Sequence, residues 1–474
     1  MTHNDNQNPV RRPLELPVFP VPEKAESRWR FWIRSAIIDA GAYDENHVLR
    51  GDDFFRSMCY LCYLAFDGAR RIYGKDLPEA VRDRLTRELT VISRAAVADL
   101  FLIVQEFVDW ARSNGIPVGP GRGNTPGSLV AYCIGITRVD PLQHGLLFER
   151  FFNPSCDPIP DIDVDVAAGG RMLVIDHLLE KYGPDHVALV EAYRFGPGGE
   201  ILQKAVHAYS VVLGRKPLSE YLPLTTWTDP ATGLTYPVSR CNSADAAQAG
   251  VLQLDIIGQE VLDHIRDCVA LVAERHHVTI VPDKVPVDDA ETFALYSRGD
   301  TDGVFHFEGS AKGAVLRRFK PDRIEDLMLL DSLFRPHGAK WIFWVVAQRQ
   351  GSAALASLPE AEDILAETYG MAIYQEQVMR IAQRIAEFSP EHSDRLRRAL
   401  CRMDGSALAE LYADFLLGAG RKGYRPEDLE PLWETWEAHG RMIFSKSHAA
   451  AYAMLSYQTA WLKTHYPAEY AETD

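Results

Sequence analysis

The stretch Ile159-Pro160-Asp161-Ile162-Asp163-Val164-Asp165-Val166 decides the fold. Three carboxylates alternate there with apolar residues at a period of two, the repeat of an extended strand. Alternate strand positions share a face, so Asp161, Asp163 and Asp165 are expected to project together while Ile162 and Val164 enter a core. Like charges ~7 Å apart on one sheet face are unfavourable unless a cation lies between them. Magnesium suits that role, being a hard cation bound by one or two carboxylates together with substrate phosphates. Taken alone, the alternation also leaves open a solvent-facing edge strand with acids on its wet side.

Upstream runs Val118-Gly119-Pro120-Gly121-Arg122-Gly123-Asn124-Thr125-Pro126-Gly127-Ser128, entering the helical pattern Leu129-Val130-Ala131-Tyr132. Its glycines, including Gly121, Gly123 and Gly127, allow a backbone to approach a phosphate closely and point N–H groups at it. Arg122 adds a fixed charge, and Ser128 is an N-cap or phosphate ligand by type. No Gly-Lys-Ser/Thr follows, so this is not a Walker A loop. A plain turn is the alternative for a glycine cluster. A phosphate loop followed by a metal strand would supply two halves of a nucleotidyl-transfer site.

The run from Gly115 to Asp165 resembles the palm of the bacterial replicative DNA polymerase III alpha subunits, the C-family polymerases. It carries Gly-Pro-Gly-Arg-Gly, Asp140-Pro141-Leu142, Leu147-Phe148-Glu149-Arg150-Phe151 and the acid strand. Leu254-Asp255-Ile256-Ile257-Gly258 is similar to that family's second palm strand. Gly303-Val304-Phe305-His306-Phe307-Glu308, Phe334-Arg335-Pro336, Tyr374-Gln375-Glu376-Gln377 and Phe444-Ser445-Lys446-Ser447-His448 resemble its fingers. The resemblance extends from about Arg84 to Glu472.

That resemblance implies an α+β fold: a nucleotidyltransferase-like mixed-sheet palm with helices, a reduced thumb and mostly helical fingers. It implies two Mg2+ ions held by Asp163, Asp165 and Asp255 as catalytic ligands, with Asp161 supporting them. The reaction implied is addition of deoxynucleotides to a primer 3′-hydroxyl by two-metal displacement, in replication or repair. DNA primer-template and dNTP are then the substrates. Gly121, Arg122, Gly123, Gly127, Ser128 and Gln253 are expected on the nucleotide, with Arg335, Arg397, Arg398, Lys446 and His448 reaching triphosphate or template from the fingers.

Departures from the family pattern qualify this expectation. The family's lysine two positions before the third aspartate is Gln253 here, with Lys204 a partial substitute, and Asn124-Thr125-Pro126 stands where small residues are usual. The PHP domain that ordinarily precedes the palm, and the duplex-, clamp- and strand-binding parts that follow the fingers, are expected to be missing. Two further readings stay open: a nucleotidyltransferase making short or untemplated products, and a catalytically silent paralogue acting as a binding subunit.

Composition agrees with an enzyme that relies on others for its grip on DNA. The 474-residue chain has formal net charge −16, whereas DNA-binding proteins are more often basic. Tight binding to DNA by this chain alone is therefore not expected, and a protein partner is expected to help hold it. No apolar run reaches the ~18 residues of a membrane span, and the polar N-terminus has no signal-peptide layout, so a cytoplasmic location with no membrane partner is expected. Seven scattered cysteines read as reduced thiols, with Cys59 and Cys62 as core residues rather than metal ligands.

Along the chain, 1–25 reads as a flexible tail and 26–113 as helices: Ser27 to Ala40, Phe54 to Tyr73, and Pro78 to Arg112 closed by Asn114-Gly115. Palm sequence is expected over 114–215 and 251–285, including a strand at Val251 to Ile257 and a helix from Gln259 to Glu274. The proline-rich 216–250 reads as a reduced thumb or loop insertion, and 286–474 as fingers. Ser389-Pro390-Glu391 predicts a helix start.

Overall fold

The computed structural model describes residues 15–23, 35–195, 201–240, 243–335, 338–351 and 359–473, without the side chains of 193–195, 201–205, 207–208, 243–244, 247 and 339. The tail reading and the helix from Ser27 therefore fall largely outside the described residues, as does the side chain of Lys204. Contacts divide the chain into two compact units. One comprises Met1–Val118, Cys133–Ile136 and Ile162–Glu260, and the other Gly119–Tyr132, Thr137–Asp161 and Val261–Asp474. The α+β expectation holds, with one mixed sheet in the first unit and helices dominating the second.

The sheet has six strands: β1 (Val164–Ala167), β2 (Val187–Phe195), β3 (Ile201–Leu213), β4 (Leu224–Thr228), β5 (Thr235–Ser239) and β6 (Leu252–Gln259). Their order is β1-β6-β3-β2-β5-β4. β1 lies parallel to β6, with Val164 opposite Ile256 and Asp165 opposite Ile257. β3 runs antiparallel to β6 and places Ser210 opposite Asp255. The predicted second strand is β6, and its alternation is that of a half-buried strand: Leu252, Leu254 and Ile256 are buried while Gln253 and Asp255 face the other way.

Three local expectations need correcting. The acid strand is shorter than its alternation suggests: it begins at Val164, so Asp161 and Asp163 precede it, and Asp161 belongs to the other contact unit. The helix expected over Pro78 to Arg112 is two helices, Glu79–Ala95 and Ala98–Ser113. They are separated at Ala96, which takes a left-handed conformation (φ 53°) and closes the first with amide bonds to Ile92 and Ser93. No glycine or proline marks that break, so the periodicity runs through it. Finally, 216–250 is not only loop: β4 and β5 form a hairpin that joins β2 and extends the sheet. Pro230 lies in the turn, and Pro237 sits inside β5 just before the two residues that pair with β2.

Other local readings match the structure. Asn114 and Gly115 (φ 73°) close the helix Ala98–Ser113. Ser389 caps Pro390–Arg402 by accepting from the His392 amide, with Pro390 in the first turn. Cys59 and Cys62 are buried in helix Asp52–Tyr73, and burial pushes the Cys59 thiol up to about 12. The helical unit packs around two cores, one joining helices Ile324–Leu333 and Lys446–His465, the other joining Gln375–Ala386, Pro390–Arg402 and Gly405–Arg421. Among the described residues no helix is long and apolar enough to cross a membrane.

Candidate active site

The sheet unit gathers carboxylates on one face. Carrying the β1–β6 register one step back from Val164 and Ile256 sets Asp163 beside Asp255, with Asp165 two positions further on the same face. Asp165 is buried, Asp163 half-buried and Asp161 exposed. Neutral donors orient two of these groups. Ser210 Oγ donates to Asp255 Oδ1 at 2.6 Å, Gln253 Nε2 donates to the same oxygen at 3.3 Å and to Ser210 Oγ at 3.2 Å, and Gln259 Nε2 donates to Asp165 Oδ1 at 3.3 Å. The amide of Gln253 is thus engaged with the acid it was expected to accompany toward a triphosphate.

Arg171, at the start of the helix Arg171–Tyr182, donates from Nε to the Ile256 carbonyl at 2.7 Å. Burial lowers its pKa, against an opposing pull from Asp255, and its Nη2 is buried without a hydrogen bond among the described residues. Sequence reasoning missed Arg171 and Ser210. Both act through β6 from other elements, and nothing local in Gly169-Gly170-Arg171 or around Ser210 announces a carboxylate nearby.

The chemistry of this face suits a hard divalent cation, since the acidic side chains it gathers offer carboxylate oxygens. Among the described residues no three ligating side chains close into one cage. A divalent ion here would therefore take carboxylates such as Asp163 and Asp255 and complete its shell with water and phosphate oxygens, as Mg2+ does.

The glycine loop belongs to the helical unit. Gly121 (φ 141°) and Gly123 (φ 57°) hold backbone that L side chains rarely adopt, and a Cβ on Gly127 would meet the Leu147 carbonyl at 2.7 Å. Ser128, fully buried, accepts from the Ala131 amide at 3.1 Å and so begins the short helix Leu129–Cys133. The loop amides expected to be free at Gly123, Gly127 and Ser128 are engaged within the protein. Gly123 donates to His448 Nδ1 at 3.1 Å, Gly127 to the Asn124 carbonyl at 2.8 Å, and Ser128 to the Thr125 carbonyl at 3.1 Å.

Around this loop the unit builds a cation-and-aromatic cluster. Arg122 donates to the Tyr452 hydroxyl at 2.5 Å and lies 5.9 Å from its ring centroid. His448 stacks on Tyr452 at 4.1 Å, and burial lowers its pKa to about 4, so it is neutral at pH 7 and carries its proton on Nε2. His306, held at φ 63°, stacks on Phe305 and bonds through Nδ1 to Asp331 at 2.9 Å. Helix Lys446–His465, which carries His448 and Tyr452, is fixed at its start by the buried Glu376 carboxylate. That carboxylate accepts from the Lys446 amide at 2.9 Å and the Ser447 amide at 3.3 Å.

The remaining candidates divide. Arg335 is exposed, its guanidinium 4.0 Å from the Phe444 ring centroid. Lys446 is buried with its ammonium 2.6 Å from Glu367. Arg397 is buried against Asp394, and Arg398 bonds both Asp394 and Asp157. These three side chains are tied into internal ion pairs, whereas Arg122 and His448 share one cluster.

Known proteins give the class first. Residues 59–195 match a family model described as bacterial DNA polymerase III alpha NTPase domain, and residues 261–423 match one described as bacterial DNA polymerase III alpha subunit finger domain. The chain is 33% identical over 505 residues to the DNA polymerase III subunit alpha of Aquifex aeolicus, covering 87% of this chain and 43% of that protein. It is 35% identical over 464 residues to the same subunit of Thermus aquaticus, covering 83% and 38%. The counterpart from Halalkalibacterium halodurans is 33% identical over 484 residues, covering 88% and 42%. The chain belongs to the family of bacterial DNA polymerase III alpha subunits, and it spans about two fifths of the length of these relatives.

Proposed function

We propose that this chain transfers a deoxynucleoside monophosphate from a dNTP to a primer 3′-hydroxyl on a DNA template, releasing pyrophosphate. The observation that supports this reading is the pairing of β1 with β6, in which Asp165 stands opposite Ile257 and so shares a sheet face with Asp255, while Asp163 comes one residue before the first pair. Asp163, Asp165 and Asp255 would hold Mg2+, with Asp161 in support. Bound there, the metal would acidify the attacking hydroxyl and neutralise charge on the leaving pyrophosphate. Ser210 and Gln253 fix the Asp255 carboxylate, and Gln259 fixes that of Asp165, so that these ligands need little rearrangement to take a cation.

In the helical unit Arg122 is the group offered to a triphosphate. Tyr452 anchors its guanidinium, and neutral His448 holds the Gly123 backbone that sets its direction. The protein thus contributes position and electrostatics rather than a covalent intermediate. Binding to duplex DNA is weak on this reading, given the net charge of −16, and a protein partner in the cytoplasm supplies the rest of the grip.

Primer extension on a template, run beside unprimed and untemplated controls, tests the proposal. Templated products are expected from the chain. They should vanish in Asp163→Asn and Asp165→Asn, while the melting temperature stays within a few degrees because each change relieves carboxylate repulsion. Full activity in both variants would sink the metal assignment. Untemplated products would favour the short-product reading, and no product at all the silent one.

A further inference from the structure

The helical unit contains a cavity of about 1050 Å3 whose walls include Trp341, Trp436, Met442 and Phe444, with Arg335 and Arg441 also lining it. Both arginines are exposed. Arg335 lies over the Phe444 ring at 4.0 Å, and the exposed Lys340 holds its ammonium 5.2 Å from the Trp341 ring centroid. None of Arg335, Lys340 and Arg441 has an ion pair among the described residues. The two carboxylates of the lining, in contrast, are already engaged. Asp428 accepts from Arg425 at 2.8 and 2.9 Å, and Glu360 accepts from the Tyr424 hydroxyl.

Exposed cations gathered at the mouth of an aromatic-walled cavity stand out in a chain of net charge −16, and together they select an anionic polymer that also carries π-faces. A duplex hides its base faces in the stack, whereas a single strand presents both bases and phosphates. We propose that this cleft is a single-stranded DNA subsite, in which unpaired bases enter against Trp341 while Arg335 and Arg441 in the lining, and Lys340 beside the Trp341 ring, meet the phosphates. The polymerase reading enters only in choosing DNA as the polymer and the unpaired template as its source.

The test uses the Asp163→Asn chain, so that binding is read without turnover. A fluorescently labelled oligothymidylate is titrated at several salt concentrations, with a duplex of equal length beside it. Trp341→Ala is expected to weaken oligothymidylate binding about tenfold, the effect of losing one base stack of 1–3 kcal/mol, and Trp341→Phe, which keeps a ring, to weaken it less. Lys340→Ala with Arg441→Ala is expected to lower the slope of log affinity against log salt by about 1.4, roughly 0.7 for each lost phosphate contact. Lys340 and Arg441 are exposed, so their variants test the surface without emptying a core. Unchanged affinity and slope in these variants would overturn the proposal, and so would a preference for duplex abolished by the same substitutions. A sulfonated naphthalene dye that fills the cavity without competition from oligothymidylate would overturn it too. Loss of primer extension with strand binding intact counts only against the polymerase reading.

Discussion

Lowering the pH should unlatch the glycine loop through one side chain, His448. Its Nδ1 accepts the Gly123 N–H at 3.1 Å, an arrangement open only to the neutral ring. Burial is the main cause of its lowered pKa of about 4. Asp331 pulls the other way, and Arg122, Arg335 and His306 reinforce the lowering. In the unfolded chain the same ring titrates near 6.5. The sign follows from linkage. Above about pH 6.5 both states are neutral and the contribution to stability is fully present. As the pH falls toward 4 the unfolded chain takes up a proton that the folded one refuses, and stability is lost. With these two values the loss between pH 7 and pH 5 is about 2 kcal/mol, and it approaches roughly 3 kcal/mol below pH 4. Many carboxylates titrate over the same range, so the measurement is a difference. Urea unfolding of the wild type and of His448→Gln is compared at pH 7 and pH 5. The wild type should lose about 2 kcal/mol more than the variant. If the two lose stability in parallel, His448 is solvated or already charged, and the tautomer and latch assigned to it are wrong.

Two further perturbations probe the units separately. Gln253→Lys places an ammonium where an amide now bonds Ser210 and Asp255. It should lower the apparent KM for dNTP roughly tenfold if one charge-assisted contact of about 1–2 kcal/mol is gained. An unchanged KM in an active enzyme would mean that Asp255 absorbs the new charge or that another cation already serves. Glu376→Ala removes the acceptor for the first amides of helix Lys446–His465 and one of the carboxylates near the buried Lys446. A loss of about 2–4 kcal/mol in urea unfolding is expected, with Glu376→Gln milder. A loss below about 0.5 kcal/mol for the alanine variant would show that water replaces the cap.

What the sequence disclosed and what it withheld divide along a physical line. A two-residue alternation is a local property, so the shared face of Gln253 and Asp255 could be read from their spacing before any partner was known. The start of β1 could not. Alternation also continues through Asp161, but a strand needs a paired neighbour, and the ladder with β6 begins only at Val164. The hairpin of β4 and β5 was hidden for a similar reason. Four prolines between Pro217 and Pro237 suggest a loop, yet they fall before strands, in the turn, or just ahead of the pairing with β2.

The site partners lay further out of reach. Ser210 meets Asp255 because β3 runs antiparallel to β6 in one particular register, and Arg122 meets Tyr452 across 330 positions of sequence. Arg397, Arg398 and Lys446 carry the right charge in family-like motifs, but sequence does not reveal that Asp394, Asp157 and Glu367 stand against them. Residue type and spacing therefore locate groups that do chemistry. Which charges are still available to a substrate is decided by packing, because a cation bonded to a buried carboxylate has already spent its field. By that criterion Arg397 and Arg398, each bonded to Asp394, have little field left to offer a triphosphate, whatever their motif suggests.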